Sequence, residues 1–338
     1  MKKRWFVILA TEMTASVLLA GCRGKAETYE ENETVITEEA EAFGFSYHFA
    51  DKAEAEKCYL SNEEYFKGFS ECDIQYKTQD KNGTIEGLKK FGASQMLEFS
   101  DDEKASIKKT MDEMKAELES NGYTIPDMGE ITLIKSTQDE ECGSGAYTHG
   151  TQIYIGQLLT DYICSDDEGA HIYGKCILWH EMFHCLTRNN PDFRKDMYGI
   201  IHFTVQDKDF ELPPSVFEKY ISNPDVEHHN SYATFEIDGK KIDCFAALIA
   251  TVPFENEGDS FFSCMSTALV PIDGSDVYYL PEDADNFWEI FGKNTGYVID
   301  PEECLADNFS YALTYGIDGM EYENPEIIKA ILDYLSKK

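Results

Sequence analysis

The sequence predicts an α+β fold in which two helices carry the chemistry and strands support them. Three observations predict it. Amphipathic stretches with clear start and stop signals mark helices, among them 169–188 and Pro301–Tyr315. Apolar, partly alternating runs at 131–134 and 146–155 mark strands ahead of the first of these helices. Between the two helices, residues 196–299 read as β-rich around an Asp238-Gly239 hairpin signal. A chain of 338 residues suits one large domain or two modest ones, and an aromatic fraction of 13% supports a packed core.

Met1-Lys2-Lys3-Arg4 is basic, 5–20 is mostly apolar though interrupted by Glu12, and the run ends in Leu19-Ala20-Gly21-Cys22. It is too short for an ordinary membrane-spanning helix. The pattern resembles a bacterial lipoprotein signal peptide with its lipobox. That resemblance implies removal of 1–21, lipidation of Cys22, and a chain held by lipid at the bacterial cell surface, outside the cytoplasm. Between 27 and 41 there are seven glutamates and no Lys or Arg, so 22–41 is expected to be an extended acidic tether. Residues 42–338 are expected to form the folded domain.

Residues 42–80 are rich in Phe and Tyr and read as mixed structure packed on the main body. Ser100-Asp101-Asp102-Glu103 has the form of a capping box. It opens a helix with Ile107, Met111, Met114 and Leu118 on one face, stopped by Asn121-Gly122. The helix over 169–188 ends at Asn189-Asn190-Pro191, because a residue before proline avoids helical backbone. Ser231–Ile237 and 241–250 flank the hairpin turn, 261–270 is a further strand, and 324–335 a last helix. The ten cysteines, with Cys22 set aside, leave an odd number and no CxxC pair, so a thiolate zinc ribbon is not expected.

The chemistry lies in Trp179-His180-Glu181-Met182-Phe183-His184. On a helix, positions four apart share a face, so both imidazoles can reach one metal ion. Glu181 projects beside them, within reach of water on that metal. The apolar residues around the motif would bury the helix and give the site rigid support. Two imidazoles alone hold zinc poorly, and a catalytic site adds a third protein ligand. Thr187 and Asn190 stand where a metzincin would place Gly and His, which excludes that class.

Glu303 and Asp307, also four apart, lie in Asp300-Pro301-Glu302-Glu303-Cys304-Leu305-Ala306-Asp307. Glu303 could complete the metal's coordination. It could instead serve the helix N-terminus, since Asp300 suits the cap, Pro301 the first turn and Glu303 its third position. Glu227, His228, His229, Asp192 and His202 are alternative ligands. The two motifs together resemble the gluzincin, or thermolysin-like, zinc metallopeptidases, which pair H-E-x-x-H with a downstream E-x-x-x-D helix. The resemblance implies a zincin-like domain with the zinc-binding helix on a mixed sheet and a β-rich insertion before the third-ligand helix. It makes His180, His184 and Glu303 the Zn2+ ligands, Glu181 the general base, and Asp307 the carboxylate that orients a ligand histidine. It also implies a peptide or protein substrate, with the strand over 146–155 as the edge that pairs with it. The spacing from His184 to Glu303 is long for that family, and only residues 304–338 follow Glu303. No motif marks the oxyanion donor; His228, His229, Tyr297 and Tyr315 are the candidates.

With 64 acidic residues against 29 basic and a net charge of −35, the chain does not suit nucleic acid, whose phosphates require a basic face. The expected function is zinc-dependent hydrolysis of peptide bonds. The alternative is a non-catalytic surface-binding lipoprotein with a structural zinc, and Glu181 separates the two, because a purely structural site has no use for it. A solute-binding lipoprotein would show a tandem α/β pattern, which is not evident here.

Overall fold

A mixed six-stranded sheet, buried on both faces, organises the first half of the chain. The computed structural model describes residues 40–42, 45–260 and 262–336, which belong to one compact unit, Glu39–Lys338. The expected signal segment, Cys22, and the tether up to residue 39 lie outside the described residues. Ala40 and Glu41, assigned to the tether by sequence, form the first strand, β1 (Ala40–Ala42), which pairs with β2 (Phe45–Phe49). Helices α1 (Lys52–Ser61), α2 (Glu63–Lys67), α3 (Glu71–Thr78) and α4 (Ile85–Ser94) follow, then β3 (Met96–Leu97). Helix α5 (Asp101–Asn121) starts with the expected capping box, both arms formed between Ser100 and Glu103, and stops at Gly122 with φ 68°.

Strand β4 (Ile131–Ser136) is parallel to β2. The single strand expected over 146–155 is instead a hairpin, β5 (Ala146–His149) and β6 (Gln152–Ile155). The chain reverses at Gly150, whose φ of 57° suits glycine. Thr148 and Thr151 on either side are strand formers, so one glycine was the only turn signal. Strand order is β1-β2-β4-β6-β5, with β3 paired to β4, and β5 lies at the edge. Alternation along the strands feeds two cores. Ile131, Leu133, Ile153 and Ile155 face one side, with the apolar stripe of α5; Ile134, Tyr147 and Tyr154 face the other, against Tyr59, Phe66 and Leu88.

Helix α6 (Gln157–Ile163) leads to α7 (Glu168–Asn189), capped by Asp167, whose side chain accepts from Ala170 N. The two approach so closely that a Cβ on Gly174 would lie 2.9 Å from Ile163 N. The stop at Asn189-Asn190-Pro191 holds, but Pro191 also starts α8 (Pro191–Ile200) in its first turn. Residues 196–200 are therefore helical rather than β. Next come β7 (Thr204–Val205), α9 (Pro214–Phe217), and the hairpin β8 (Ser231–Ile237) and β9 (Lys240–Ala250), with Asp238 and Gly239 both at positive φ. Phe261 lies outside the described residues and 262–264 is a 3-10 turn, so β10 (Met265–Pro271) starts later than expected. These strands form an antiparallel sheet, β10-β9-β8-β7. Helices α10 (Phe287–Phe291), α11 (Pro301–Tyr315) and α12 (Pro325–Leu335) complete the fold, and α11 packs along α7. The architecture is thus mixed α+β. Among the described residues no helix is long and apolar enough to cross a membrane, and the nine cysteines are free thiols.

Candidate metal centre

Helices α7 and α11 bring the two four-residue spacings face to face. His180 and His184 lie one turn apart on α7, their ring centroids 5.0 Å apart, with the side chain of His184 fully buried. Glu303 comes from the first turn of α11 and is also fully buried. Its Oε2 lies 3.0 Å from His180 Nε2 and 3.7 Å from His184 Nε2. The Glu303 side chain does not serve the helix N-terminus. That role falls to Asp300, whose Oδ1 accepts from Glu302 N at 2.8 Å, while Glu303 Oε1 accepts from the side chain of Asn223 and from Tyr297 OH.

Each histidine is oriented through its other nitrogen. His180 Nδ1 lies 2.9 Å from Asp307 Oδ1, the position the sequence assigned to an orienting carboxylate. His184 Nδ1 lies 3.1 Å from Glu302 Oε1, which the sequence reading missed. Glu302 also accepts from Thr187 Oγ1 and Tyr198 OH. These bonds present both Nε2 atoms to the same point as Glu303 Oε2. His184 Nε2 is buried and has no hydrogen-bond partner among the described residues.

Glu181 is buried beside this point, and its Oε2 accepts from Thr148 Oγ1 on the edge strand β5 at 2.7 Å. Asp225, from the loop before β8, is the other unforeseen member. Its Oδ1 accepts from Thr148 N at 2.6 Å and lies 3.9 Å from His184 Nε2. Two overlapping trios can therefore share a cation: His180, His184 and Glu303, and Glu181, His184 and Asp225.

Charge is unevenly matched here. Burial raises the Glu181 pKa; burial, Glu181 and Glu303 together push Asp225 well above the carboxylate range. Burial opposes charge on His180 and Glu303 alike. Their mutual contact, with Asp307 beside His180, outweighs it, raising His180 well above the imidazole range and lowering Glu303 to about 2. Crowded buried carboxylates around two imidazoles are the surroundings a divalent cation offsets. The donors also fit zinc in kind and spacing. Imidazole nitrogen and carboxylate oxygen are its usual ligands, and tetrahedral donors at about 2.0–2.1 Å lie about 3.3 Å apart.

The alternative ligands lie elsewhere. Glu227 pairs with Arg188 at 3.1 Å, His228 with Asp209 at 3.2 Å, and His229 Nε2 with Tyr220 OH at 3.0 Å. Asp192 is in neither trio of metal-binding groups and lines a 440 Å³ cleft that Asp225 and Glu302 also border, and His202 is an exposed turn residue. His228 and His229 precede β8 rather than facing opposite ways on a strand. Of the candidate oxyanion donors, Tyr297 is at the site, whereas Tyr315 packs beside Tyr311. Comparison with protein-family models, with curated proteins and with solved structures finds no match for this chain.

Proposed function

We propose that this chain is a gluzincin-type zinc metallopeptidase, exported as a lipoprotein anchored through Cys22, that hydrolyses peptide bonds at the bacterial cell surface. The observation that carries the reading is the convergence of His180 Nε2, His184 Nε2 and Glu303 Oε2 on one buried point, with His184 Nε2 left unpartnered there. A helix bearing H-E-x-x-H beneath the edge strand of a mixed sheet also supports a zincin-like domain, with the β8–β10 sheet as the insertion before α11. The anchor rests on the sequence alone.

Zinc held by His180, His184 and Glu303 would polarise a peptide carbonyl and lower the pKa of water to about 7. Glu181 supplies the base. Thr148 fixes its Oε2, which leaves Oε1 to accept the proton from water and deliver it to the departing amine. Burial raises the Glu181 pKa, which brings proton donor and acceptor closer together. Tyr297 OH, at the rim beside Glu303, is a donor suited to a developing oxyanion.

The test is metal analysis of the purified chain with peptide-library cleavage. One zinc per chain is expected. Glu181→Gln should keep the metal and lose about 10²–10⁴-fold in hydrolysis. A chain without zinc, or an unaffected Glu181→Gln variant, overturns the reading. A second reading, a structural zinc in a binding lipoprotein, is favoured by one observation: Asp225 offers a fourth protein donor 3.9 Å from His184 Nε2. Zinc without cleavage of any peptide would support it.

A further inference from the structure

The free edge of β5 is already engaged. Along an edge strand, alternate N–H groups point outward and would pair with a second strand. Thr148 N is such a group, Gly150 N lies two residues on in the turn that follows β5, and both donate to carboxylates of one short loop. Thr148 N reaches Asp225 Oδ1 at 2.6 Å and Gly150 N reaches Glu227 Oε1 at 2.8 Å. The two-residue spacing of the donors is matched by a two-residue spacing of the acceptors. Side-chain oxygens of 225 and 227 stand where the carbonyls of an added strand would.

The loop is pinned throughout. Arg188 Nε pairs with Glu227 at 3.1 Å, its Nη2 donates to Pro224 O at 3.2 Å, and its Nη1 donates to Gly150 O at 3.3 Å. Asn223 donates to Glu303, and Ser222 is bonded to Asp73 and Lys77. Asp225 Oδ1, the atom on Thr148 N, also lies 3.9 Å from the unpartnered His184 Nε2, nearly as close as Glu303 Oε2 at 3.7 Å.

We infer that residues 223–227 form an intrasteric strap: Asp225 plugs the β5 edge and serves as a fourth protein donor to the metal, so the described form is latent. The inference rests on the metal-centre reading and adds its regulation. An extended peptide gains the edge by supplying its own carbonyls to Thr148 N and Gly150 N, which releases Asp225 and Glu227. That release would leave the position facing His184 Nε2 open to water.

The test uses the full zinc-loaded chain with acetohydroxamate, a small bidentate chelator, as probe of the fourth position, together with residue-resolved amide exchange. If the closed strap dominates nine to one, the apparent affinity of wild type for the probe is reduced about tenfold. Asp225→Ala should therefore bind acetohydroxamate about tenfold more tightly, and Thr148 N should exchange faster. Asp225→Asn keeps an acceptor for Thr148 N but is a poor metal donor. It should gain the same affinity with Thr148 N still protected, which separates the ligand role from a loosened fold. Glu227→Ala, which removes the acceptor, should speed exchange at Gly150. Two zinc-loaded variants that bind the probe like wild type overturn the inference while leaving the metal reading intact. A chain that takes up no zinc overturns both the reading and the donor role of Asp225. Thr148 and Gly150 amides that exchange freely in wild type overturn the plug.

Discussion

Two buried clusters of charge flank residues 221–227, and they differ in where their cation comes from. On one side, Lys77 is fully buried between Asp73 and Glu141, at 3.6 and 2.8 Å, and donates to Ser222 Oγ at 3.0 Å and to Tyr65 OH. Burial disfavours the lysine charge, but the two acids outweigh it and raise the Lys77 pKa. That cluster brings its own cation. On the other side, Glu181, Asp225, Glu302 and Glu303 are buried around two imidazoles, and a buried nitrogen faces them without a partner among the described residues. The first arrangement is a structural pin that ties α3 to the loop. The second is the one that we propose a metal ion completes. Acid count alone does not separate the two clusters; the convergence of His180 Nε2, His184 Nε2 and Glu303 Oε2 on one point does.

Metal should therefore act on one cluster and not on the other. Zinc at about a thousand times its dissociation constant is expected to stabilise the wild type by about 4 kcal/mol, read as a rise in Tm that a chelator reverses. The His180→Ala, His184→Ala double variant should show no rise. Lys77→Met should show the whole rise from a lower starting point. A zinc-dependent Tm in the double variant would break the comparison. Lys77→Met itself is expected to cost about 3 kcal/mol in denaturant unfolding, near the low end for breaking a buried pair. The low end applies because Ser222 still donates to Asp73, and Tyr65 to Glu141 at 2.9 Å.

The first cluster should also respond to pH in a definite direction. Burial raises the Glu141 pKa to about 7 from 4.5, against the pull of Lys77. The folded chain thus holds that proton more tightly than the unfolded one. The stability from this group is complete below about pH 4.5 and is lost as pH rises through about 7, by at most about 3 kcal/mol. Glu141→Gln should flatten that segment of the stability profile. An unchanged slope would mean that Glu141 is charged throughout, and that the pin is as fully neutralised as its contacts suggest.

What the sequence made legible is whatever obeys helical phase. His180 with His184, and Glu303 with Asp307, are four apart, and the bounds expected for α11 match those observed. Helix spacing places side chains on a face without knowledge of the partner. The rest of the site is set by tertiary contact. Asn223 and Asp225 come from a stretch without periodicity, read only as part of a β-rich region, and they reach the centre because Lys77 and Arg188 hold the loop there. Thr148 became visible only once Gly150 turned the expected strand into a hairpin and put β5 at the edge. The metal-ligand alternatives failed because residue type does not fix direction: His228 and His229 have ordinary partners of their own.

Glu302 is the finest test, because it differs from Glu303 only by one step along α11. A step of one residue turns the side chain by about 100°. Glu303 thus meets both Nε2 atoms, while Glu302 meets His184 Nδ1 at 3.1 Å together with Thr187 and Tyr198. Burial opposes the Glu302 charge, but His184 and Arg194 outweigh it and lower its pKa. A charged acceptor on Nδ1 holds the imidazole in the tautomer that offers Nε2 as a lone pair. Glu302→Gln keeps an acceptor and the volume but removes the charge, so zinc affinity should fall about tenfold to a hundredfold, with one zinc still bound at saturation. Glu303→Ala should lose the metal outright at the same concentration, rather than only lowering Tm as loss of a helix cap would. Competition with a chromophoric chelator measures both. Equal losses in the two variants would show that the adjacent glutamates act as one group, and that the division between ligand and orienting carboxylate drawn from these distances is wrong.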